Sequence, residues 1–191
     1  MRVISGEWKG LTLVAPKGQV ARPTTDRVKE SMFNLLGWNW TGGVAVDLFA
    51  GSGALGIEAL SRGAESAIFA DIHPASLAAL RENLTRCKAG HRAKVYRADW
   101  EDAWNKICAA GLDVGWVFVD PPYSKNLWVP VLTSISRCSV HPRFGVVCEH
   151  PKDVLLPSQV GDLEVAKSKV YGDIAVTMYR SYGGVDMGDD L

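Results

Sequence analysis

The tetrapeptide Asp120-Pro121-Pro122-Tyr123 follows directly on the apolar run Gly115-Trp116-Val117-Phe118-Val119. A carboxylate and a stiff turn thus stand at the end of a buried strand. Each proline ring locks one backbone dihedral, and the two together fix the directions of the loop carbonyls. The Asp120 carboxylate and the Pro121 carbonyl can accept the two hydrogens of an amine, which aims the nitrogen lone pair outward. Tyr123 can stack on a planar base, a contact of about 1–3 kcal/mol in single-stranded recognition. The plain structural alternative is a proline turn capped by an aspartate. The strand-end location, the aromatic fourth residue and a glycine loop upstream argue for chemistry.

That loop is Gly51-Ser52-Gly53-Ala54-Leu55-Gly56, at the carboxyl end of the run Val44–Phe49. Glycines there permit a tight turn and close backbone approach to a ligand. The same pattern serves a nicotinamide or flavin dinucleotide, whose pyrophosphate sits on a helix N-terminus. Asp47, four residues before the first glycine, would repel a pyrophosphate but suits the ammonium of an amino-acid-bearing cofactor such as S-adenosylmethionine. Asp71 ends the next strand and can accept from both ribose hydroxyls, in either cofactor class. Asp99 ends the third strand, where it can accept from an adenine amine or simply cap the following helix. The reaction these groups allow is direct displacement at a sulfonium methyl. Its leaving group is neutral, so it needs no metal, and it depends on holding nitrogen and methyl together.

Elements of alternating type must position these residues. Strand-like runs are expected at Arg2–Ser5, Leu11–Ala15, Val44–Phe49, Ser66–Asp71, Ala93–Arg97, Val114–Val119, Phe144–Glu149, Leu163–Tyr171 and Ile174–Arg180. Helical spacing joins Val28, Met32, Leu35 and Leu36, with Thr24, Thr25 or Asp26 as the cap, and also Leu77, Leu80 and Leu84 after Pro74. The order predicts an α/β fold: a Rossmann-like sheet of seven strands, mostly parallel, closed by an antiparallel hairpin at Gly172-Asp173. Residues 1–40 form an N-terminal hairpin-and-helix extension packed on the core, 41–181 the main domain, and 182–191 a disordered acidic tail.

The chain balances 21 basic against 21 acidic residues, so bulk charge alone cannot grip nucleic acid. Arg86, Lys88, Arg92, Lys94 and Arg97 form a basic stretch that is more often only a solvated loop. Cys87, Cys108, Cys138 and Cys148 lack any close pairing and read as free or buried thiols in a reducing compartment. No signal peptide and no membrane-length apolar run is visible, which points to a cytoplasmic protein. Trp100 and Trp104, four apart, read as packing rather than a stacking platform. His73 and Cys148-Glu149-His150 read as structural, the latter without the partners of a metal site.

Taken together, MRVISGEWKG, ARPTTDRVKESMFNLL, VDLFAGSGALGIEALSRGA and VFVDPPY resemble the RsmD family of 16S rRNA (guanine-N2)-methyltransferases, from Met1 to about Arg180. The resemblance implies a class I methyltransferase fold, S-adenosylmethionine as cofactor and no metal. It implies a guanine in RNA of the small ribosomal subunit, or of an assembly intermediate, as target, and a monomer as the simplest state. It places Asp47, Phe49, Gly51, Gly53 and Gly56 in the first cofactor motif, Asp71 and Ile72 at the ribose side, and Asp99 and Trp100 near the adenine. Asp120, Pro121, Pro122 and Tyr123 fall at the target amine. Arg22, Thr24 and Arg27 belong to a segment that closes over the site, where the arginines contact RNA phosphate or merely pair with acids. The tetrapeptide alone would also suit a DNA adenine-N6 or cytosine-N4 methyltransferase. A non-catalytic RNA-binding factor and a nicotinamide-dependent oxidoreductase complete the alternatives.

Overall fold

The computed structural model describes residues 1–18, 26–37 and 42–181. Arg22 and Thr24, the capping residue Thr25 and the tail 182–191 lie outside the described residues. Helix α1 (Asp26–Leu36) precedes β1 (Val44–Asp47), α2 (Ala54–Arg62), β2 (Ser66–Asp71), α3 (Pro74–Arg86) and β3 (Ala93–Arg97). Then come α4 (Trp100–Ala110), β4 (Val114–Val119), α5 (Trp128–Arg137), β5 (Gly145–Pro151), β6 (Gln159–Val160), β7 (Leu163–Tyr171) and β8 (Ile174–Ser181).

The strands form one sheet in the order β3-β2-β1-β4-β5-β8-β7-β6. The first five are parallel, and β8, β7 and β6 join antiparallel. The sheet has eight strands and not the seven expected. The eighth, β6, is a two-residue strand that pairs Gln159 with Glu164 and Val160 with Leu163 around a turn with Gly161 at φ +59°. Two residues are too few to show a period of two, so the segment after Pro157 reads as loop in the sequence.

Side chains alternate across the sheet. Ala67 and Phe69, and Trp116 and Phe118, enter one apolar cluster, which is covered by Met32, Phe33 and Leu36 of α1, Ile57 and Leu60 of α2, and Leu77, Leu80 and Leu84 of α3. Ile68 and Ala70, and Val117 and Val119, enter the other, covered by Trp104 and Ile107 of α4 and Val131, Leu132 and Ile135 of α5. Every residue of β4 is buried, as a central strand between two helical layers requires. Trp104, 1% exposed, is a packing residue of α4, and Trp100 is half-buried at the start of that helix. Among the described residues no helix is long and apolar enough to cross a membrane.

The N-terminal segment pairs through one antiparallel bridge, Arg2 with Thr12, instead of two full strands. It is fastened to α2 by a buried carboxylate. Glu58 accepts from the backbone N–H groups of Ile4 (2.8 Å) and Ser5 (3.0 Å), and pairs with Lys29 Nζ (3.0 Å) and Arg62 Nε (2.9 Å). The Lys29 and Glu58 side chains are both fully buried. Burial pulls the Lys29 ammonium below its ordinary range, and Glu58 opposes that pull.

The cysteine reading needs correction. Cys108 and Cys138 are joined in a disulfide across 30 positions, with Cα atoms 6.3 Å apart, while Cys87 and Cys148 are free and buried. The pairing is invisible as a spacing motif because it arises from α4 and α5 lying side by side on one sheet face. The two cysteines stand at matching ends of those helices.

Candidate active site

The strand order reverses between β1 and β4, and the crevice at the carboxyl ends of such strands is where open α/β sheets bind ligands. β1 ends there in Asp47, β2 in Asp71, β3 two residues short of Asp99, and β4 one residue short of Asp120.

Asp47 lies under the glycine turn and is 1% exposed. Its Oδ2 accepts from the Gly56 N–H at 3.1 Å, and its Oδ1 is a buried acceptor without a hydrogen-bond partner. Burial pushes this carboxyl up to about 7; the Asp71 charge adds to the push, and the Gly56 and Phe49 amides oppose it. Asp71 completes the turn from the other side: Oδ2 accepts from Gly51 N–H (2.9 Å) and Oδ1 from His73 N–H (2.8 Å). His73 is therefore tied in through its backbone. Gly51 adopts φ +53°, and a Cβ on it would meet no atom within 4 Å, so the turn borders open space. Gly56 is required for the opposite reason, since a Cβ there would stand 2.3 Å from the Phe69 ring. Gly53 caps α2 at φ +84°.

These features fit an adenosyl cofactor carrying an amino-acid ammonium. The orphaned Oδ1 of Asp47 is a buried negative end that a cation would satisfy. Asp71 retains lone pairs for ribose hydroxyls, since each carboxylate oxygen can accept more than once. Ile72, 45% exposed, offers an apolar surface beside it, and the open face of Gly51 leaves room above the turn. Phe49 is half-buried and packs toward the α4–α5 side. Asp99 is exposed, and its Oδ1 accepts from Asp102 N–H at 2.8 Å, so the structure gives it the capping bond of α4.

Sequence reasoning does not single out Asn83, yet it ties this turn to the N-terminal segment. Its Nδ2 donates to Ser52 O (2.9 Å) and Val14 O (3.0 Å), and its Oδ1 accepts from Val14 N–H (2.7 Å). The available signal is a polar amide within the apolar stripe of α3, between Leu80 and Leu84, where burial demands partners.

At the end of β4, Asp120 is half-buried, Pro121 buried and Pro122 exposed. Tyr123 opens a short 3-10 turn to Lys125. The Tyr123 hydroxyl lies 3.5 Å from Glu149 Oε1, and its ring stands 5.7 Å from that of Trp128, tilted by 55°. Trp128 in turn donates from Nε1 to Glu149 O at 2.7 Å. Glu149, 1% exposed at the end of β5, and Trp128, at the start of α5, thus support Tyr123 from two sides. Neither reads as a site residue in the sequence, because both depend on strands and helices distant along the chain. His150 is held at Nε2 by Thr177 Oγ1 (2.9 Å) and at Nδ1 by Pro151 O (2.9 Å), and burial keeps its imidazole below the usual histidine range. It is a structural polar group. Among the described residues no group of three or more His, Cys, Asp or Glu side chains is placed to hold a metal ion. Arg27 is exposed on the first turn of α1.

A doubly wound sheet with a glycine turn after β1, an acid at the tip of β2 and an Asp-Pro-Pro-Tyr turn after β4 defines a Rossmann-like methyltransferase. The family model described as Conserved hypothetical protein 95 matches residues 1–180, and the chain belongs to this family, that of RsmD. YlbH of Bacillus subtilis (strain 168), provisionally named an rRNA methyltransferase, is 44% identical over 184 residues, spanning 96% of this chain and 100% of its own. Ribosomal RNA small subunit methyltransferase D of Escherichia coli (strain K12) is 33% identical over 181 residues, spanning 94% of this chain and 89% of its own. A solved structure from Thermus thermophilus, of a protein named hypothetical protein TTHA0928, is 29% identical with a TM-score of 0.78, covering 94% of this chain and 99% of that one.

Proposed function

We infer that this protein is a cytoplasmic S-adenosylmethionine-dependent methyltransferase of small-subunit ribosomal RNA, and that its acceptor is the exocyclic N2 amine of a guanine. The observation that carries the reading is Asp-Pro-Pro-Tyr in the same crevice as the Asp47–Gly56 turn, in a chain whose Escherichia coli relative is named for methylating small-subunit ribosomal RNA. When bound, the cofactor supplies a methyl group on a sulfonium, an electrophile whose departure leaves a neutral thioether.

The chain's own residues do the rest by placement. Asp47 and Asp71 hold the glycine turn and face the ammonium and the ribose. Ile72 lies beside the ribose and Trp100 borders the adenine, with Asp99 at its amine. Asp120 and the Pro121 carbonyl accept the two N–H hydrogens of the target amine, which aims its lone pair at the methyl group. Pro122 holds the turn rigid. Tyr123 stacks on the base, and Glu149 and Trp128 keep its ring in place. Such positioning replaces an encounter of free reactants by a near-attack arrangement, a main source of acceleration for a direct displacement. Asp120, already accepting one N–H, is placed to receive the amine proton.

Replacing Asp120 by Ala tests this reading. Methyl transfer to small-subunit RNA is expected to fall by about 10²–10⁴-fold, the scale of losing a positioned polar group, with cofactor affinity within about twofold of the parent. Undiminished transfer in that variant would remove Asp120 from the mechanism.

A further inference from the structure

We propose that the outward end of β7, through Lys167 and Lys169, binds the phosphate backbone of the RNA that flanks the target base. The proposal rests on the RNA-methyltransferase reading above and names the surface that would hold the substrate.

The register of the sheet places these lysines. Phe118 of β4 pairs with Val147, Val147 with Met178, and Met178 with Lys167. Two rows further toward the carboxyl ends, Glu149 pairs with Val176 and Val176 with Lys169, and Asp120 continues that row on β4. Residues opposite one another in a sheet point to the same face. Lys167 and Lys169 therefore point to the face where Phe118, Val147, Val176 and Met178 pack against α1. Three strand spacings separate the Lys169 position from that of Asp120, about 14 Å. That is the reach of a few nucleotides from a base held at the Asp-Pro-Pro-Tyr turn.

The surface is open and basic. Both lysines are exposed. Among the described residues, β7 meets β6 only at Leu163 and Glu164, so its last residues form a sheet edge. Tyr171, at the end of β7, donates from its hydroxyl to Ser31 O of α1 at 3.4 Å, which brings α1 alongside. Arg27 lies one turn before Ser31 on the same side of that helix and adds a third cation. Lys152 meets Asp173 at the hairpin tip (2.7 Å) and Asp26 is engaged by Arg2 (3.0 Å), while Glu30 on α1 and Glu164 at the start of β7 are exposed acids near this surface.

Of the basic stretch in the sequence, Arg97 alone reaches the carboxyl end of β3, on the far side of the sheet from β7. Arg86, Lys88, Arg92 and Lys94 lie at the opposite, amino-terminal end of β3. Arg92 is directed inward, donating to Leu60 O (2.9 Å) and Ala64 O (2.7 Å). In a chain of zero net charge, the cations on the site's own rim are those a polyanion would meet. Edge-strand lysines also discourage edge-to-edge pairing, so the test must separate the two roles.

The test compares the parent with Lys167→Gln/Lys169→Gln and Lys167→Arg/Lys169→Arg. Binding to unmodified small ribosomal subunits is followed without turnover across a salt series, and methyl transfer is measured against subunit concentration. The glutamine variant is expected to flatten the slope of log affinity against log salt by about 2, about one for each phosphate no longer neutralised. Its KM should rise about tenfold, with kcat, cofactor affinity and melting temperature unchanged, and the arginine variant should behave as the parent. An unchanged slope and KM, including in a glutamine variant that merely self-associates, would overturn the proposal. Parent protein that binds RNA through these lysines but transfers no methyl group would overturn the reaction and leave the surface standing.

Discussion

Replacing Asp47 by Asn should change how stability depends on pH, and the change can be worked from the site. The Asp47 carboxyl is buried and pushed up to about 7 from an ordinary 3.8. A carboxyl with a raised folded-state pKa binds more protons folded than unfolded, so its contribution is greatest below pH 4 and is lost as pH rises toward 7. A shift of about 3 units corresponds to on the order of 4 kcal/mol in full, with on the order of 3 kcal/mol falling between pH 5 and 8. Asn keeps an oxygen for the Gly56 N–H but does not titrate. His150 acts in the opposite direction: its folded pKa is lowered, so its contribution grows as pH rises through the usual histidine range. Subtracting variant from parent cancels that term. Urea unfolding of both proteins without cofactor at pH 5, 6, 7 and 8 is the assay. The difference in unfolding free energy, parent minus variant, should fall by on the order of 3 kcal/mol over that range. A flat difference would refute the burial argument. Titration calorimetry extends it: with Asp47 at the ammonium of S-adenosylmethionine, as proposed, the parent's affinity should weaken more steeply than the variant's as pH falls below about 7.

Other consequences concern the supports of the site. Lys29→Met leaves Glu58 short of one buried partner and should cost about 3–5 kcal/mol by denaturant unfolding; a loss below about 1 kcal/mol would show that Arg62 and the Ile4 and Ser5 amides suffice. Gly56→Ala drives a Cβ to within 2.3 Å of the Phe69 ring and should cost about 1–3 kcal/mol, recovered in part by adding Phe69→Leu; equal stability of single and double variants would contradict this. Glu149→Gln and Trp128→Phe should raise KM for RNA more than they lower kcat, because they loosen Tyr123 without touching cofactor; a selective loss of cofactor affinity would count against that placement. Reducing the Cys108–Cys138 bridge, which closes a loop of 30 positions, should lower stability by about 3–4 kcal/mol, measured as a shift in melting temperature with and without reductant.

The sequence revealed what is local. The Asp-Pro-Pro-Tyr turn, the glycine turn and the acids Asp47 and Asp71 each declare themselves within a few residues of a strand end, and the structure brings them to one crevice. Contacts made by chain reversal were not legible. Glu58 is an ordinary helix glutamate until the N-terminal amides fold over it. Asn83 gains its role only when Val14 and Ser52 meet, and Glu149 acts with Tyr123 because β5 lies beside β4. The same reason hid the disulfide between α4 and α5. Asp99 shows the limit of a local signal: a strand-end acid before a helix reads equally as ligand and as cap, and the Asp102 N–H identifies the cap alone. Within the basic stretch, position in the fold and not density of charge decides what each residue touches: Arg92 turns inward, whereas Arg97 stands at the carboxyl end of β3.

The most direct measurement is to incubate the protein with methyl-labelled S-adenosylmethionine and unmodified small ribosomal subunits, digest the RNA and identify the labelled nucleoside. Label in N2-methylguanosine is the predicted result and would establish cofactor, substrate and target atom together. Label in another nucleoside would contradict the guanine assignment. No label in RNA alongside efficient labelling of DNA would contradict the central claim.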